Sequence, residues 1–373
     1  MLPDYPESTR RALARSVLQH TLRLKRGEKL LLYTWSGTLP WANSFVLEAR
    51  LLGARPLLIV EDESTMWQSV DMAPGSSLGR TGGHEWAALR NADAYLELGG
   101  PLDTDREIGL PKAVASRVDA DNHEWYRLIQ KYGVRSVRWD LGRTSPYWAK
   151  RYGVDLASWR RELIDAATVD PRELQRDGAQ LAHALRKGRE VSITHPNGTD
   201  LTLRLAGRAP MVDDGVIDEA DIRSGNVFTI VPSGVATAAV DETYAEGTIV
   251  SNNPGVLFVG AVQYPLTGGT WTFRKGRLAR FEYEEEEAAF RREFTKAGPG
   301  KDRPGILSIG LNPGITSIPL LFDQQRGTVT ISVGRNAMSG GSTRTPHFTA
   351  YHSVRDATVR IDGRPVVDDG KFP

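Results

Sequence analysis

The sequence contains no cysteine. That absence excludes disulfides, thiolate nucleophiles, iron–sulfur clusters and cysteine-ligated zinc, and it is compatible with a reducing compartment. An excess of charge of one sign is also lacking. The chain has 47 Lys and Arg against 46 Asp and Glu, a formal net charge of +1, so it carries neither a nucleic-acid footprint nor a polybasic membrane surface. No run approaches the ~18 apolar residues of a membrane span. The opening residues, MLPDYPESTRR, lack a basic region followed by an apolar core. The expectation is a cytoplasmic protein that engages neither membrane nor nucleic acid. Two chemical signatures are missing as well. The Gly82-Gly83 and Gly99-Gly100 pairs lack the spacing and context of a phosphate-binding loop and read as turns. No G-x-S-x-G nucleophile elbow is present.

What is present is ordinary globular material: 40% hydrophobic and 25% charged residues in a chain of 373, enough for two domains. Residues 7–24 place Leu13, Val17, Leu18 and Leu22 on one helical face. KLLLY at 29–33, a helix opened by Pro40 and ending near Gly53, and RPLLIV at 55–60 then spell strand–helix–strand, the unit of a parallel sheet. AYLEL at 94–98 and VRSVRW at 134–139 add two strands. A helical stretch from 147 to 187, broken at Pro171, leads to a different composition. Residues 190–280 are rich in Thr, Val and Gly, with turn signals at Asn197-Gly198, Asp214-Gly215, Asn252-Asn253-Pro254 and Gly268-Gly269, and are predicted to be mostly β. Residues 281–296 are predicted to be an amphipathic helix whose Glu284–Glu287 run forms a solvated face. Strands at 327–333, 357–361 and 364–367 close the chain. The predicted fold class is α/β: a doubly wound N-terminal α/β domain with linking helices over 1–178, and a β-rich α+β domain carrying the pocket over 179–373.

Several segments of the second half resemble, in one order, the aminopeptidase T family of metallopeptidases. EVSITHPNGTDLT at 190–202 resembles the family's V-x-I-T-x-P-x-G-T-D-L strand, and SGNVFT at 224–229 its S-G-E-V-F-T. AEGTI at 245–249, IGLNP at 309–313, GTVTISVG at 327–334, and Gly340-Gly341 with His347 resemble x-x-G-T-I, I-G-x-N-P, G-T-x-H-I-A-x-G and G-G…H-x-D. The resemblance implies an aminopeptidase T-like fold, a homodimer, and a pair of co-catalytic metal ions held by carboxylates and histidines, with Zn, Co or Mn as suitable ions.

Carried over residue by residue, the resemblance loses most of that metal site. Asn226 stands where the family has a ligand Glu, Ile306 where it has a second Glu, Thr330 for the His of G-T-x-H, and Thr349 for the Asp of H-x-D. The expected tyrosine is replaced near Ala337. Only His347 keeps a ligand, and a divalent ion needs three or four. No metal and no cofactor are therefore expected. A relocated site using His347, His352 and Asp356 or Glu242 and Glu246 would suit Zn, Mn or Fe(II), and the related dihydroxypyridine ring-cleaving dioxygenases use a His, His, Asp triad on this scaffold.

His347 is the candidate catalytic acid–base, because the resemblance places it in the pocket. Asn226, Thr330 and Thr349 are its candidate neutral hydrogen-bonding partners, and His352 is a further pocket candidate. Backbone N–H groups of Ser339-Gly340-Gly341-Ser342 are candidates for an oxyanion or carboxylate, with Arg335 and Arg344 as flanking clamps. His20, His84, His123 and His183 read as surface or satisfied residues, and Trp139 and Trp148 as aromatic walls near a domain junction. Three functions remain open: a metal-independent enzyme acting on a small amino-acid-like or peptide-like ligand, a non-catalytic binding or scaffolding homologue, and a metalloenzyme with a relocated site.

Overall fold

The computed structural model describes residues 5–72, 80–103, 105–141, 144–260, 262–284, 286–316 and 321–373. The chain forms two compact units. The first comprises Met1–Lys150, Asp155–Pro171 and Gly215–Ser233, the second Arg151–Val154, Arg172–Asp214 and Gly234–Pro373. The division is thus not a single cut near residue 178.

The first unit is built on a parallel sheet of β1 (Lys29–Trp35), β2 (Arg55–Glu61), β3 (Ala94–Leu98) and β4 (Arg135–Trp139), as the apolar runs predict. Alternation along the strands gives the sheet two unlike faces. Leu30, Leu32, Leu96, Leu98, Val137 and Trp139 lie on one and are all buried. Trp139 packs edge-on against Trp41 and Phe45 of the helix Leu39–Leu51, with ring centroids 5.4 and 6.3 Å apart. It is a core residue of this unit rather than a pocket wall. Trp148 is likewise buried, edge-on to Tyr147. The opposite face carries Leu31, Tyr33, Tyr95, Glu97, Ser136 and Arg138, with Tyr33 opposite Glu97 and Glu97 opposite Arg138. The helix Glu7–Ser16 is tied to Leu39–Leu51 by Arg11 and Arg15, whose Nε atoms reach the buried Glu48 carboxylate at 2.7 and 2.9 Å.

The second unit contains β5 (Glu190–His195), β6 (Thr199–Leu205) and β7 (Met211–Asp213). The next strand, β8 (Phe228–Val231), is an exception to the predicted β-rich domain. It leaves that unit and pairs parallel with β4 as the fifth strand of the first sheet, in the order β2-β1-β3-β4-β8. The chain then returns through the long β9 (Val235–Val250), followed by β10 (Asn253–Val259), β11 (Val262–Leu266), β12 (Thr270–Arg274), β13 (Arg277–Glu282), β14 (Pro304–Gly310), β15 (Val329–Gly334), β16 (Phe348–Val354), β17 (Thr358–Ile361) and β18 (Arg364–Val367). Together they make a 13-stranded sheet whose main path runs β11-β10-β16-β15-β14-β9-β6-β5-β17-β18.

β9 serves two halves of this sheet. Its first part pairs with β14 and its last part with β6 and β12. Between them the register jumps from Leu205↔Val240 to Leu203↔Ala245, so residues 241–244 bulge out of the ladder. The predicted helix at 281–296 is shorter than expected. Phe281 and Glu282 end β13, and the helix spans Glu287–Lys296. Of the Glu284–Glu287 run, Glu285 lies outside the described residues, and Glu286 is not on a solvated face. It is 6% exposed, and its carboxylate takes the Arg151 guanidinium at 2.6 Å.

Candidate functional site

β15 and β16 pair at the middle of the second sheet and carry Thr330, Thr349 and His352, with Arg335 and His347 flanking them. Their registers, Thr330↔Ser353, Ser332↔Tyr351 and Gly334↔Thr349, put Thr330, Ser332, Ser353, Tyr351 and Thr349 on one face. β14 and β9 continue the first rung with Ser308 and Thr237. A strand face of Ser and Thr cannot be buried cheaply unless its hydroxyls find partners, and they do. Thr330 Oγ1 and Ser353 Oγ are 2.8 Å apart, as are Thr237 Oγ1 and Ser308 Oγ, and Ser332 Oγ accepts the Ile306 N–H at 3.0 Å. Thr330 is therefore spent within the sheet.

Further along this face stands Tyr351, partly buried, with Asp323 and Arg335 close enough to act on it. Burial, then the Asp323 carboxylate, pushes the phenol up to about 12, while Arg335 pulls the other way. Asp323, between β14 and β15, is itself pushed up to about 6 by burial. Among the described residues, no carboxylate lies within ion-pairing distance of Arg335. Thr349 Oγ1 donates to the Arg335 carbonyl at 3.3 Å, and the Arg335 N–H donates to Phe348 O at 3.0 Å. His347 immediately precedes β16 and is exposed. Its φ of 52° is left-handed, a conformation that costs a residue with a Cβ about 1 kcal/mol and that recurs at functional sites. Its carbonyl accepts the Gly260 N–H at 2.9 Å.

The structure thus brings His347, Thr349 and Arg335 to one end of the β15–β16 pair. Thr330 lies four residues along the same face, about 13 Å away by strand rise. The other candidates are elsewhere. His352 points to the opposite face, 1% exposed, stacked on Trp271 at 4.6 Å and edge-on to Tyr283 at 6.0 Å, with Nε2 3.1 Å from Gly269 O. Burial lowers its pKa to about 3. It is a neutral core residue, not a pocket residue. Asn226 belongs to the first unit, where its Nδ2 lies 3.3 Å from Asp221 Oδ1 at the end of the helix Glu219–Ser224. Arg344 is exposed and donates to Gly341 O at 2.8 Å.

The Gly340 loop corrects the expectation of an open oxyanion nest. Its backbone donors are already used: Gly340 N–H on Ala337 O, Gly341 N–H on Asn336 O, Ser342 N–H on Glu242 Oε1 at 2.7 Å and Thr343 N–H on Asn336 Oδ1 at 2.9 Å. The carboxylate in the nest is the chain's own. The β9 bulge turns Glu242 inward, where Arg208 grips both oxygens at 2.7 and 2.8 Å and Asn336 Nδ2 adds a bond at 2.9 Å. Burial opposes the charge, but these donors outweigh it and hold the pKa down to about 2. No sequence signal marked this pairing, because the bulge that makes it is visible only in the register.

The positions that the resemblance assigns to metal ligands hold few donor atoms suited to a metal ion. Ile306 offers no ligand atom, and Thr330 and Thr349 are engaged as hydroxyl donors or acceptors. Among the described residues, no three His, Asp or Glu side chains are placed to share an ion, so His347, His352, Asp356, Glu242 and Glu246 form no relocated cluster there.

A parallel α/β unit joined to a large antiparallel unit, with β15 and β16 at its centre, defines an aminopeptidase T-like fold. Among solved structures the chain is similar to wild-type AmpT from Thermus thermophilus, with a TM-score of 0.72 and 17% identity over 98% of this chain and 99% of that one. It is also similar to 2,5-dihydroxypyridine dioxygenase from Pseudomonas putida KT2440, with a TM-score of 0.66 and 15% identity over 99% of this chain and 98% of that one. No protein-family model matches the chain, and no curated protein matches it in sequence. No helix among the described residues is long and apolar enough to cross a membrane.

Proposed function

We propose that this chain is an enzyme on an aminopeptidase T-like scaffold that works without a tightly held metal, on a small amino-acid-like or peptide-like substrate bearing a carboxylate. The observation that carries this reading is Arg335. Its guanidinium is half-buried just past the end of β15, acts electrostatically on Tyr351, and has no carboxylate within ion-pairing distance among the described residues. An unspent cation in such a place is suited to a carboxylate from outside the chain. His347, at the same end of the sheet, is the acid–base, taking a proton from an attacking water or giving one to a leaving amine. Thr349 orients the Arg335 backbone. The replaced ligand positions, Ile306, Thr330 and Thr349, support a reaction whose charge is handled by side chains alone. The reading extends to a cytoplasmic homodimer, for which light scattering of the purified protein is the check.

The test is turnover of a panel of amino-acid amides and dipeptides with free carboxylates, in the presence of a strong chelator, beside elemental analysis of the dialysed protein. The expected result is chelator-insensitive turnover. His347→Ala should lower kcat on the order of 100-fold, and Arg335→Ala should raise KM on the order of tenfold. Near-stoichiometric metal that survives dialysis, or full activity of His347→Ala, would overturn the reading.

A further inference from the structure

Parallel sheets are normally apolar on both faces. The sheet of the first unit departs from this at the carboxyl ends of its strands, where Tyr33, Glu97 and Arg138 form a polar rung across β1, β3 and β4. The strand order reverses between β1 and β3, the position at which open α/β sheets form ligand crevices. A cavity lies there. Its inner chamber, of about 200 Å³, is walled by Tyr33, Trp86, Tyr95 and Trp125. Its wider mouth, of about 470 Å³, shares Tyr33, Glu97 and Arg138 and extends to Glu61. Everything that lines it belongs to the first unit.

The chemistry of the chamber is one-sided. Glu85, Glu97 and Asp121 face Arg138 as the single cation. Arg138 is already committed, its Nε on Asp140 Oδ1 at 2.7 Å, and burial fails to outweigh Asp140 and Glu97, which keep it charged. Asp121 takes the Thr81 N–H, and Glu85 takes the Gly82 N–H at 3.1 Å. Glu97 has no hydrogen bond or ion pair of its own among the described residues. Tyr95 is a second, independent sign. The residue is 8% exposed, its hydroxyl has no hydrogen-bond partner among the described residues, and the charged groups acting on it are Glu97, Arg138 and Glu85 of the chamber. Tyr33 OH reaches Glu61 Oε2 at 3.3 Å, and burial and the surrounding carboxylates raise both groups, as a net negative field requires.

We propose that this cavity is a second ligand site and that it takes a primary organic ammonium carried on a flat apolar body. The aromatic walls attract a cation through their ring faces and accept its apolar part. Glu97 and the Tyr95 hydroxyl accept its N–H groups. A metal ion is a poorer complement, because no three acidic or histidine side chains among the described residues are placed to share one ion. The site shares no residue with the His347 region and does not rest on the function proposed above.

The experiment is calorimetric titration of the full chain with benzylammonium, its neutral analogue benzyl alcohol, and benzoate, with tryptophan fluorescence as a second readout from Trp86 and Trp125. Benzylammonium should bind on the order of tenfold more tightly than benzyl alcohol, and benzoate should not bind. Glu97→Gln should erase that preference while leaving benzyl alcohol unchanged, and Tyr95→Phe, which keeps the ring in the core, should weaken benzylammonium by roughly fivefold. The wild-type comparison stands without either variant. Equal binding of benzylammonium and benzyl alcohol, no binding of benzylammonium, or binding indifferent to both substitutions would overturn the proposal.

Discussion

His352 links stability to pH through a single ring held between Trp271 and Tyr283. Its ordinary pKa is 6.5, and burial lowers it to about 3 in the folded chain. Above pH 6.5 both folded and unfolded forms are neutral and the contribution is fully present. As pH falls from 6.5 towards 3 the unfolded chain takes the proton first, so stability is lost, by up to about 5 kcal/mol. His352→Phe should flatten this acid limb, which denaturant melts at pH 7 and pH 4.5 would compare. Asp323 has the opposite sign. Its folded pKa, near 6, lies above the ordinary 3.8, so the folded chain takes the proton first and its ionisation destabilises the fold as pH rises from 4 through 6. Asp323→Asn should stabilise the chain by about 1–3 kcal/mol at pH 7 and by nothing at pH 4. Neither effect was legible in the sequence. His352 stands between Tyr351 and Ser353 in the chain, and only strand alternation sends it to the opposite face and into the aromatic core.

The β9 bulge and the Gly340 loop form one element in two pieces. Glu242 inserts into the loop, and Asn336 fills the space where Gly341 has no Cβ: a methyl there would meet the Asn336 carboxamide at 2.0 Å. Glu242→Gln keeps the shape but removes the charge that offsets Arg208, at a cost of about 2–3 kcal/mol in urea unfolding. Gly341→Ala should cost about as much by displacing Asn336. Because both act on the same contacts, the double variant should cost clearly less than the sum, and a double-mutant cycle reads that coupling. Elements whose reasons are local were readable in advance. KLLLY, RPLLIV and AYLEL are strands because their apolar runs are too short for helices and too continuous for loops. The 281–296 helix was drawn too long because Phe281 belongs to the alternation of β13 yet also fits a helical stripe with Phe290 and Phe294, and all three rings pack together.

For the whole molecule, composition foretold two α/β units, and the change near residue 190 marked where the antiparallel sheet begins. It could not foretell that 215–233 rejoin the first unit, because Phe228–Val231 is as β-like as its neighbours and its partner, β4, lies about ninety residues earlier. Of the candidate site, the segments that carry the resemblance include β15 and the start of β16, while Asp323, Tyr351 and the N-terminal cavity carry no motif. Their polarity arises from strands that meet only in three dimensions.

The return of β8 to the first sheet also sets a timetable. A ribosome delivers β1 to β4 by residue 139, then makes β5, β6 and β7 before β8 emerges. Until then β4 presents an open edge, the kind of backbone that recruits other strands. The N-terminal unit can therefore complete its fold only after part of its neighbour has been synthesised. A fragment of residues 1–178, cut where composition suggests a boundary, should aggregate on expression, and one carrying residues 1–233 should remain in solution to a greater extent, as sedimentation of the two lysates would reveal. In this chain the order of translation and the order of assembly do not coincide.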